Sequence, residues 1–265
     1  MNKKEEKIVE FFKISKEYFD SIRNFHKKHG GVAIEDEVLK LIFKNITENM
    51  KILDGGCGEG SITNFLAEKF PDVIFYGVDI SDVGINYAYE ESNKRKLKNV
   101  TYKVGDLKYL DFPDNYFDLI YSQSVIEHVV NYEKALKEFW RVLKPKGKLI
   151  IRVSNGGVEG KNKLKAIRDY IFGNNRLIEL NPSLILDNEL TRNFDVNSIP
   201  SDVLLTQLKR IGFKIIYFST LRNHLRYNLS EVSFIKRIWR IFISLIPFFP
   251  FTHLGPTIVV MCQKR

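Results

Sequence analysis

The sequence contains little that would mark a secreted or membrane-spanning protein. It has two cysteines in 265 residues, and a disulfide framework is not expected, because Cys57 lies in a glycine-rich turn and Cys262 in the last apparent strand. It has no uninterrupted run of about 18 apolar residues, the length needed to span a bilayer. Its first residues, MNKKEEKIVEFF, lack the apolar core of a signal peptide. We therefore expect a cytoplasmic protein.

The histidines are few and scattered. Four of them, His26, His29, His224 and His253, show no spacing typical of metal ligands. We therefore expect no metal site.

Acidic residues are almost missing from the last quarter of the chain. Residues 205–265 hold ten basic residues and a single acid, Glu231, whereas residues 1–204 hold 31 of each kind. The whole formal charge of +9 therefore arises in this quarter. Such an asymmetry indicates an anionic partner.

The most informative segment is ILDGGCGEGS, residues 52–61, in which a short apolar run is followed by an acid and then by glycines at alternate positions. Glycine tolerates positive φ and lets a ligand approach the backbone closely, so Gly56, Gly58 and Gly60 mark close contact. The amides that begin the following helix then point at the ligand. The pattern predicts a strand that enters a nucleotide-binding turn.

Three further apolar runs end in polar residues. Asp79 closes the run FYGVD and lies about 20 residues past the glycines, where an acid reaches ribose hydroxyls. Asp106 closes another run, and Ser122 to Ser124 follow a third. In open parallel sheets the carboxyl edge is where ligands bind, so these residues predict one adenosine-type site.

The order of these segments resembles that of a class I S-adenosylmethionine-dependent methyltransferase of the small-molecule type. The resemblance covers residues 48–153 well, and beyond them it is one of topology. It implies an α/β, Rossmann-like, doubly wound sheet of seven mostly parallel strands with an antiparallel last strand. A helical lid over residues 1–47 would precede the cofactor-binding domain, residues 48–265, with Tyr18 or Phe19 facing the cofactor or simply packing in the core.

The resemblance also implies which residues hold S-adenosylmethionine. Asp54 and the glycines match the D-x-G-x-G-x-G turn, and Asp79 matches the ribose acid. Ile80 follows at the position that packs on adenine, and Asp106 matches the acid that faces the adenine amino group. The implied cofactor-binding set is Asp54, Gly56, Cys57, Gly58, Gly60, Asp79, Ile80, Asp106, Leu107 and Ser122.

The acceptor side is less defined by the sequence. The pair Glu127 and His128 matches the family's fourth-strand signature, in which a Glu-His pair opens the next helix. His128 is the histidine near this edge that could remove a proton from an oxygen acceptor near neutral pH, but the pair is shared across acceptors in the family, so a catalytic role stays open. Gln123 could line the active site, and a helical insertion over residues 156–199 could form one of its walls.

Residues 231–251, within a predicted insertion over 228–254, form a basic amphipathic pattern. Basic residues with one serine occupy one side and apolar residues the other: Lys236, Arg237, Arg240 and Ser244 against Phe234, Ile238, Trp239, Ile241, Phe242 and Leu245. Such a helix either lies on an anionic membrane surface or covers the protein's own core or acceptor pocket. A membrane position would suit a lipid-linked acceptor, whereas the lack of aromatics interleaved with basic residues argues against nucleic acid.

Two other functions fit parts of the pattern. A nicotinamide-dependent dehydrogenase has a similar turn with the spacing G-x-G-x-x-G, and Ser61 stands at the third position here. A cofactor-binding scaffold at a membrane, without catalysis, would carry the same motifs. The acid that ends the third strand and the Lys-Pro-Lys-Gly turn before the fifth favour methyl transfer.

Overall fold

A computed structural model describes residues 37–154, 199–221 and 257–265 of the chain. The predicted lid lies mostly outside this part, as do the predicted cap over 156–199 and the amphipathic segment 231–251. Those assignments, with Tyr18 and Phe19, stay predictions. Within the described ranges, no helix is both long enough and apolar enough to cross a bilayer.

Helices and strands alternate along most of the described chain, although the third and fourth strands follow each other without a helix between them. The strands are β1 (Lys51–Gly55), β2 (Ile74–Asp79), β3 (Val100–Val104), β4 (Phe117–Gln123), β5 (Leu143–Ser154), β6 (Phe213–Leu221) and β7 (Thr257–Lys264). The helices are α1 (Glu37–Asn45), α2 (Ser61–Lys69), α3 (Asp82–Lys94), α4 (Tyr132–Val142) and α5 (Ser201–Ile211). A short 3-10 turn, Ile126–His128, lies between β4 and α4.

The strands form one sheet in the order β3-β2-β1-β4-β5-β7-β6. Neighbours from β3 to β5 pair in parallel, and β7 pairs antiparallel with both β5 and β6. The predicted fold, with its antiparallel last strand, is confirmed. Strand order reverses between β1 and β4, and in open α/β sheets ligands bind at such a switch point, beyond the carboxyl ends of the strands.

Two apolar layers cover the sheet, one on each face. On one face, α4 buries residues at helical spacing, among them Ala135, Phe139 and Val142. On the other face, α1 and α2 bury side chains such as Leu39 and Leu66 against β1, β4 and β5. Both layers leave the strand ends to form the site.

Two local features differ from the sequence expectations. The sequence predicts the Lys-Pro-Lys-Gly motif as a turn before the fifth strand, but β5 begins at Leu143 and includes the motif. Its pairing with β4 is irregular between Phe117 and Leu119, and Lys146 has a φ of 65°. Glu127 and His128 do not open the next helix. They lie in the 3-10 turn, because Asn131 takes a left-handed φ of 57° and delays the start of α4 to Tyr132.

The ring of Phe139 connects the core to the site. It is fully buried, and its Cζ atom would lie 2.7 Å from a Cβ atom built on Gly55, at the end of β1. Phe139→Ala should lower the free energy of unfolding by about 3–5 kcal/mol, because it leaves a cavity in the core. Urea denaturation measures this. Tyr89→Ala, whose side chain is 59% exposed, is the control and should change it by less than about 0.5 kcal/mol; equal effects would contradict the packing.

Candidate functional site

The glycine-rich turn follows β1 at the carboxyl edge. Gly56, Gly58 and Gly60 all have positive φ, at 87°, 52° and 73°. A Cβ atom on Gly56 would lie 2.3 Å from Cγ2 of Val125, which follows β4. The turn therefore requires glycine both for its backbone conformation and for its close approach to β4.

The Asp79 carboxylate holds this turn from the end of β2. Its Oδ2 atom accepts a hydrogen bond from the Gly58 amide at 2.8 Å, and its Oδ1 atom accepts one from the Ser81 amide at 2.9 Å. Burial raises the pKa of Asp79, and the hydrogen bonds from the two amides act in the opposite direction. Asp79 lies where the sequence places the ribose acid, and it also links β2 to the turn.

Asp54 lies beneath the turn rather than at its surface. It is 5% exposed, and its Oδ2 atom accepts a hydrogen bond from the Thr63 hydroxyl at 2.6 Å. Burial raises the pKa of Asp54 to about 7, against the opposing effect of the bond from Thr63. Asp54 thus connects β1 to the first turn of α2.

Two residues that the sequence reasoning missed support the turn from behind. The Tyr102 hydroxyl donates to Oδ1 of Asn64 at 2.8 Å and would lie 2.7 Å from a Cβ atom on Gly60. Asn64 itself is fully buried and donates to the Ala88 carbonyl at 3.3 Å. Polar residues on the inward side of this helix, as in Thr63-Asn64-Phe65-Leu66, were the available signal.

Cys57 lies inside the turn and is 9% exposed. Burial raises the pKa of its thiol well above the ordinary value, so the thiol is protonated at neutral pH. Its Sγ atom would lie 2.8 Å from a Cβ atom on Gly77 of β2. Cys57 therefore contributes to the site through its backbone and as a small residue that packs in the turn.

The loop just after β3, which ends at Val104, adds the third polar position. The Oδ1 atom of Asp106 accepts a hydrogen bond from the Lys108 amide at 2.9 Å, and the Lys108 ammonium lies 3.5 Å from Oδ2. Leu107 is 5% exposed and lies next to Gly55, while Ile80 is half-buried after Asp79. These residues border the edge beyond β1 and β2, where the sequence places an adenine ring.

The end of β4 forms the other side of the site. The Ser122 hydroxyl, fully buried, donates to the Gly55 carbonyl at 2.7 Å and so ties β4 to β1 just below the turn. Burial lowers the pKa of His128 to about 4, so its imidazole is neutral at pH 7. Glu127 beside it is 1% exposed.

The strand ends thus bring the predicted cofactor residues together at one edge. The turn is shaped from the core side by Asp54, Cys57 and Ser122. It is bordered by Asp79, Ile80 and Asp106. A glycine-rich turn at positive φ after β1, with an acid at the end of β2, is the arrangement that a nucleoside cofactor needs, so the residues present fit S-adenosylmethionine. Among the described residues, no group of three or more His, Cys, Asp or Glu side chains is arranged to hold a metal ion. The individual cofactor contacts stay predictions.

The fold and this edge define a Rossmann-like protein that binds a nucleoside-containing cofactor. A family model described as a methyltransferase domain matches residues 46–179, half of the chain. The chain therefore belongs to the methyltransferase-domain family, within the class I S-adenosylmethionine-dependent methyltransferases. The resemblance noted in the sequence is confirmed.

Curated relatives share the same part of the chain. A phosphoethanolamine N-methyltransferase from Triticum aestivum is 34% identical over 122 residues, which are 46% of this chain and 23% of that protein. A demethylmenaquinone methyltransferase from Anoxybacillus flavithermus is 31% identical over 148 residues, 56% of this chain and 62% of that protein. The match spans about a quarter of the wheat protein's length.

Solved structures agree on the fold. Phosphoethanolamine N-methyltransferase 2 of Haemonchus contortus, in complex with S-adenosyl-L-methionine, has a TM-score of 0.66 at 18% identity, covering 97% of this chain and 60% of that one. An S-adenosylmethionine-dependent methyltransferase from Aquifex aeolicus has a TM-score of 0.54 at 17% identity, covering 86% and 90%. At this identity the likeness concerns the fold alone.

Gly56→Ala tests the turn directly. A left-handed backbone costs alanine about 1 kcal/mol, and overlap with Val125 adds to this, so affinity for S-adenosylmethionine should fall by at least about tenfold. Calorimetry measures the affinity. In Gly56→Ala/Val125→Ala the overlap is relieved but the backbone cost remains, so affinity should recover only partly. Wild-type affinity in the single variant would show that cofactor binding does not depend on this conformation of the turn.

Asp54 should make stability depend on pH. Because the pKa of Asp54 is higher in the folded protein than in the unfolded chain, folding favours its protonated form. The resulting stabilisation of the fold is fully present below about pH 4 and is lost as the pH rises through about 7. The loss has a slope of up to about 1.4 kcal/mol per pH unit.

Asp54→Asn keeps an oxygen for Thr63 but cannot titrate. From pH 4 to pH 7, the unfolding free energy of wild type should therefore fall relative to that of this variant. Urea denaturation at each pH measures both values. A constant difference would mean that Asp54 titrates at its ordinary value.

Proposed function

We propose that this chain transfers the methyl group of S-adenosylmethionine to a small-molecule or lipid-linked acceptor. The observation that carries the proposal is the glycine-rich turn, held by Asp79 at the strand-order switch point and closed against Val125. Family membership supports the cofactor. The activity of the whole protein is a proposal, since the first curated relatives are matched over about a quarter of their length.

The main task of the protein in this reaction is to position the acceptor relative to the methyl group. When bound, S-adenosylmethionine supplies a methyl group already activated by its sulfonium. The chain then has to hold the acceptor atom in line with that methyl group and exclude water, and orientation of this kind supplies a large part of a rate enhancement. A turn fixed by the Asp79 and Ser122 hydrogen bonds suits this task, because it needs little rearrangement on binding.

His128 remains a candidate base for an oxygen acceptor. Its lowered pKa keeps the imidazole neutral, and therefore able to accept a proton, at any pH above about 4. The same low pKa makes it a weak base. We therefore propose that His128 acts only where the acceptor is itself acidic, such as a phenol.

The relatives support a small-molecule acceptor. Their names refer to phosphoethanolamine, demethylmenaquinone and a sterol, and two of these three are lipids. The basic amphipathic segment 231–251, outside the described residues, suits work at an anionic membrane. We accordingly propose a cytoplasmic protein that associates peripherally with the inner face of a membrane.

Calorimetric titration tests the cofactor. The wild type should bind S-adenosylmethionine and S-adenosylhomocysteine in the micromolar range and NADH far more weakly, and Asp79→Ala should lose the binding. Preference for NADH would favour the dehydrogenase alternative. Binding without methyl transfer to any quinone, phospholipid or phosphobase acceptor would favour a cofactor-binding scaffold.

Liposome flotation tests the membrane proposal. The chain should float with vesicles that contain anionic phospholipid and stay behind with neutral ones, because its basic excess lies in residues 205–265. Replacing Lys236, Arg237 and Arg240 with Gln should abolish flotation while cofactor affinity is unchanged. Absence of flotation with both vesicle types would refute membrane association.

A further inference from the structure

The predicted cofactor residues leave the amino-acid end of S-adenosylmethionine without a free side-chain donor. The one hydroxyl among them, on Ser122, already donates to the Gly55 carbonyl at 2.7 Å. Adenine is expected at Asp106, just after β3, and ribose at Asp79, which ends β2. Because the sheet continues from β2 through β1 to β4, the amino-acid portion, joined to the ribose on the side away from adenine, is expected near the end of β4.

Gln123 is the last residue of β4 and borders the glycine-rich turn. Asp54 of β1 pairs with Tyr121 of β4, so Gln123, two residues further along its strand, lies level with the start of the turn. Val125, two residues beyond Gln123, approaches Gly56 closely. Alternation along β4 puts the Gln123 side chain on the face of Tyr121, which α1 and α2 cover. Gln123 therefore borders the cofactor site from the side of β4.

The side-chain amide of Gln123 has an unmet hydrogen-bond requirement. Its Nε2 atom is shielded from solvent and has no hydrogen-bond acceptor among the described residues. Burying an amide N–H is costly unless an acceptor atom reaches it. The residue as a whole is only half-buried, so rotation of its side chain can bring the amide to a ligand at this edge.

The ionisable groups nearest to Gln123 along the chain and across the sheet are of both signs. Arg152 is its register partner on β5, and the carboxyl group of Glu127 is buried in the 3-10 turn that follows β4. Each of these two residues already has an interaction partner. The uncharged amide of Gln123 is therefore the donor here that a ligand would satisfy.

The chemistry of the amide selects one group of the cofactor. The Nε2 atom of glutamine donates hydrogen bonds and does not accept them. In the amino-acid portion, the ammonium group also only donates, and the positive charge of the sulfonium disfavours a donor. The carboxylate only accepts, and hydrogen bonds to an ionised acceptor are roughly twice as strong as those between neutral groups. The carboxylate is thus the complement of the Gln123 amide.

We propose that the Gln123 amide donates a hydrogen bond to the carboxylate of S-adenosylmethionine and so holds the amino-acid portion at the end of β4. This inference rests on the proposed function and adds to it a cofactor residue that the sequence motifs do not indicate. Gln123 acts as a binding residue. By holding one substituent of the sulfonium, it helps to orient the methyl group without taking part in its transfer.

Two ligands that differ in one group test the inference. S-adenosylmethionine and decarboxylated S-adenosylmethionine are each titrated calorimetrically into the full chain, as wild type and as Gln123→Met. The ratio of the two affinities isolates the carboxylate, because the ligands share every other group. This ratio should fall by about tenfold in Gln123→Met, which loses a hydrogen bond to a charged group. Affinity for the decarboxylated ligand should stay as in wild type, which also reports that the variant folds.

Gln263→Met is the matched control, because it makes the same substitution at the opposite edge of the sheet, where the Gln263 amide donates to the Lys146 carbonyl at 2.9 Å. It should leave both affinities unchanged. An unchanged ratio in Gln123→Met, an equal loss of both ligands, or an equal fall of the ratio in Gln263→Met would show that the inference is wrong while the proposed function stands. A wild type that binds neither ligand would overturn both.

Discussion

The pair of hydrogen bonds made by the Asp79 carboxylate is the constraint on which the site depends. It joins the end of β2 to the amide of Gly58 and to the start of α3 through Ser81. The turn that results has three glycines at positive φ, a conformation that a free chain would hold poorly, and Ser122 fastens its base to β4. The sheet therefore presents a turn that is already shaped for a ligand.

A second layer of polar contacts keeps this turn in place from within the core. Thr63 bonds Asp54, and Tyr102 bonds Asn64, so β1 and β3 are each connected to the first turn of α2. Buried polar groups are stable only when they are paired in this way. These contacts therefore hold the turn in place on the side of the cofactor.

Much of this site could be predicted from sequence because it is local. Alternate glycines after an apolar run, and acids at the ends of the next runs, are short-range patterns that predict both strands and their shared edge. The support from Tyr102 and the register of Gln123 beside Arg152 arise from pairing between distant segments, which no short pattern encodes. The turn at Glu127 differed from the expected helix start because one residue, Asn131, adopts a left-handed conformation.

Hydrogen exchange with and without S-adenosylmethionine tests the central claim most directly. Amides at residues 55–61, at 79–81 and at 105–108 should exchange more slowly when the cofactor is bound, because those segments border the proposed site. Amides of the turn at 144–148, at the opposite edge, should not change. Protection at 144–148 without protection at 55–61 would contradict the account, because the cofactor would then bind away from the glycine-rich turn.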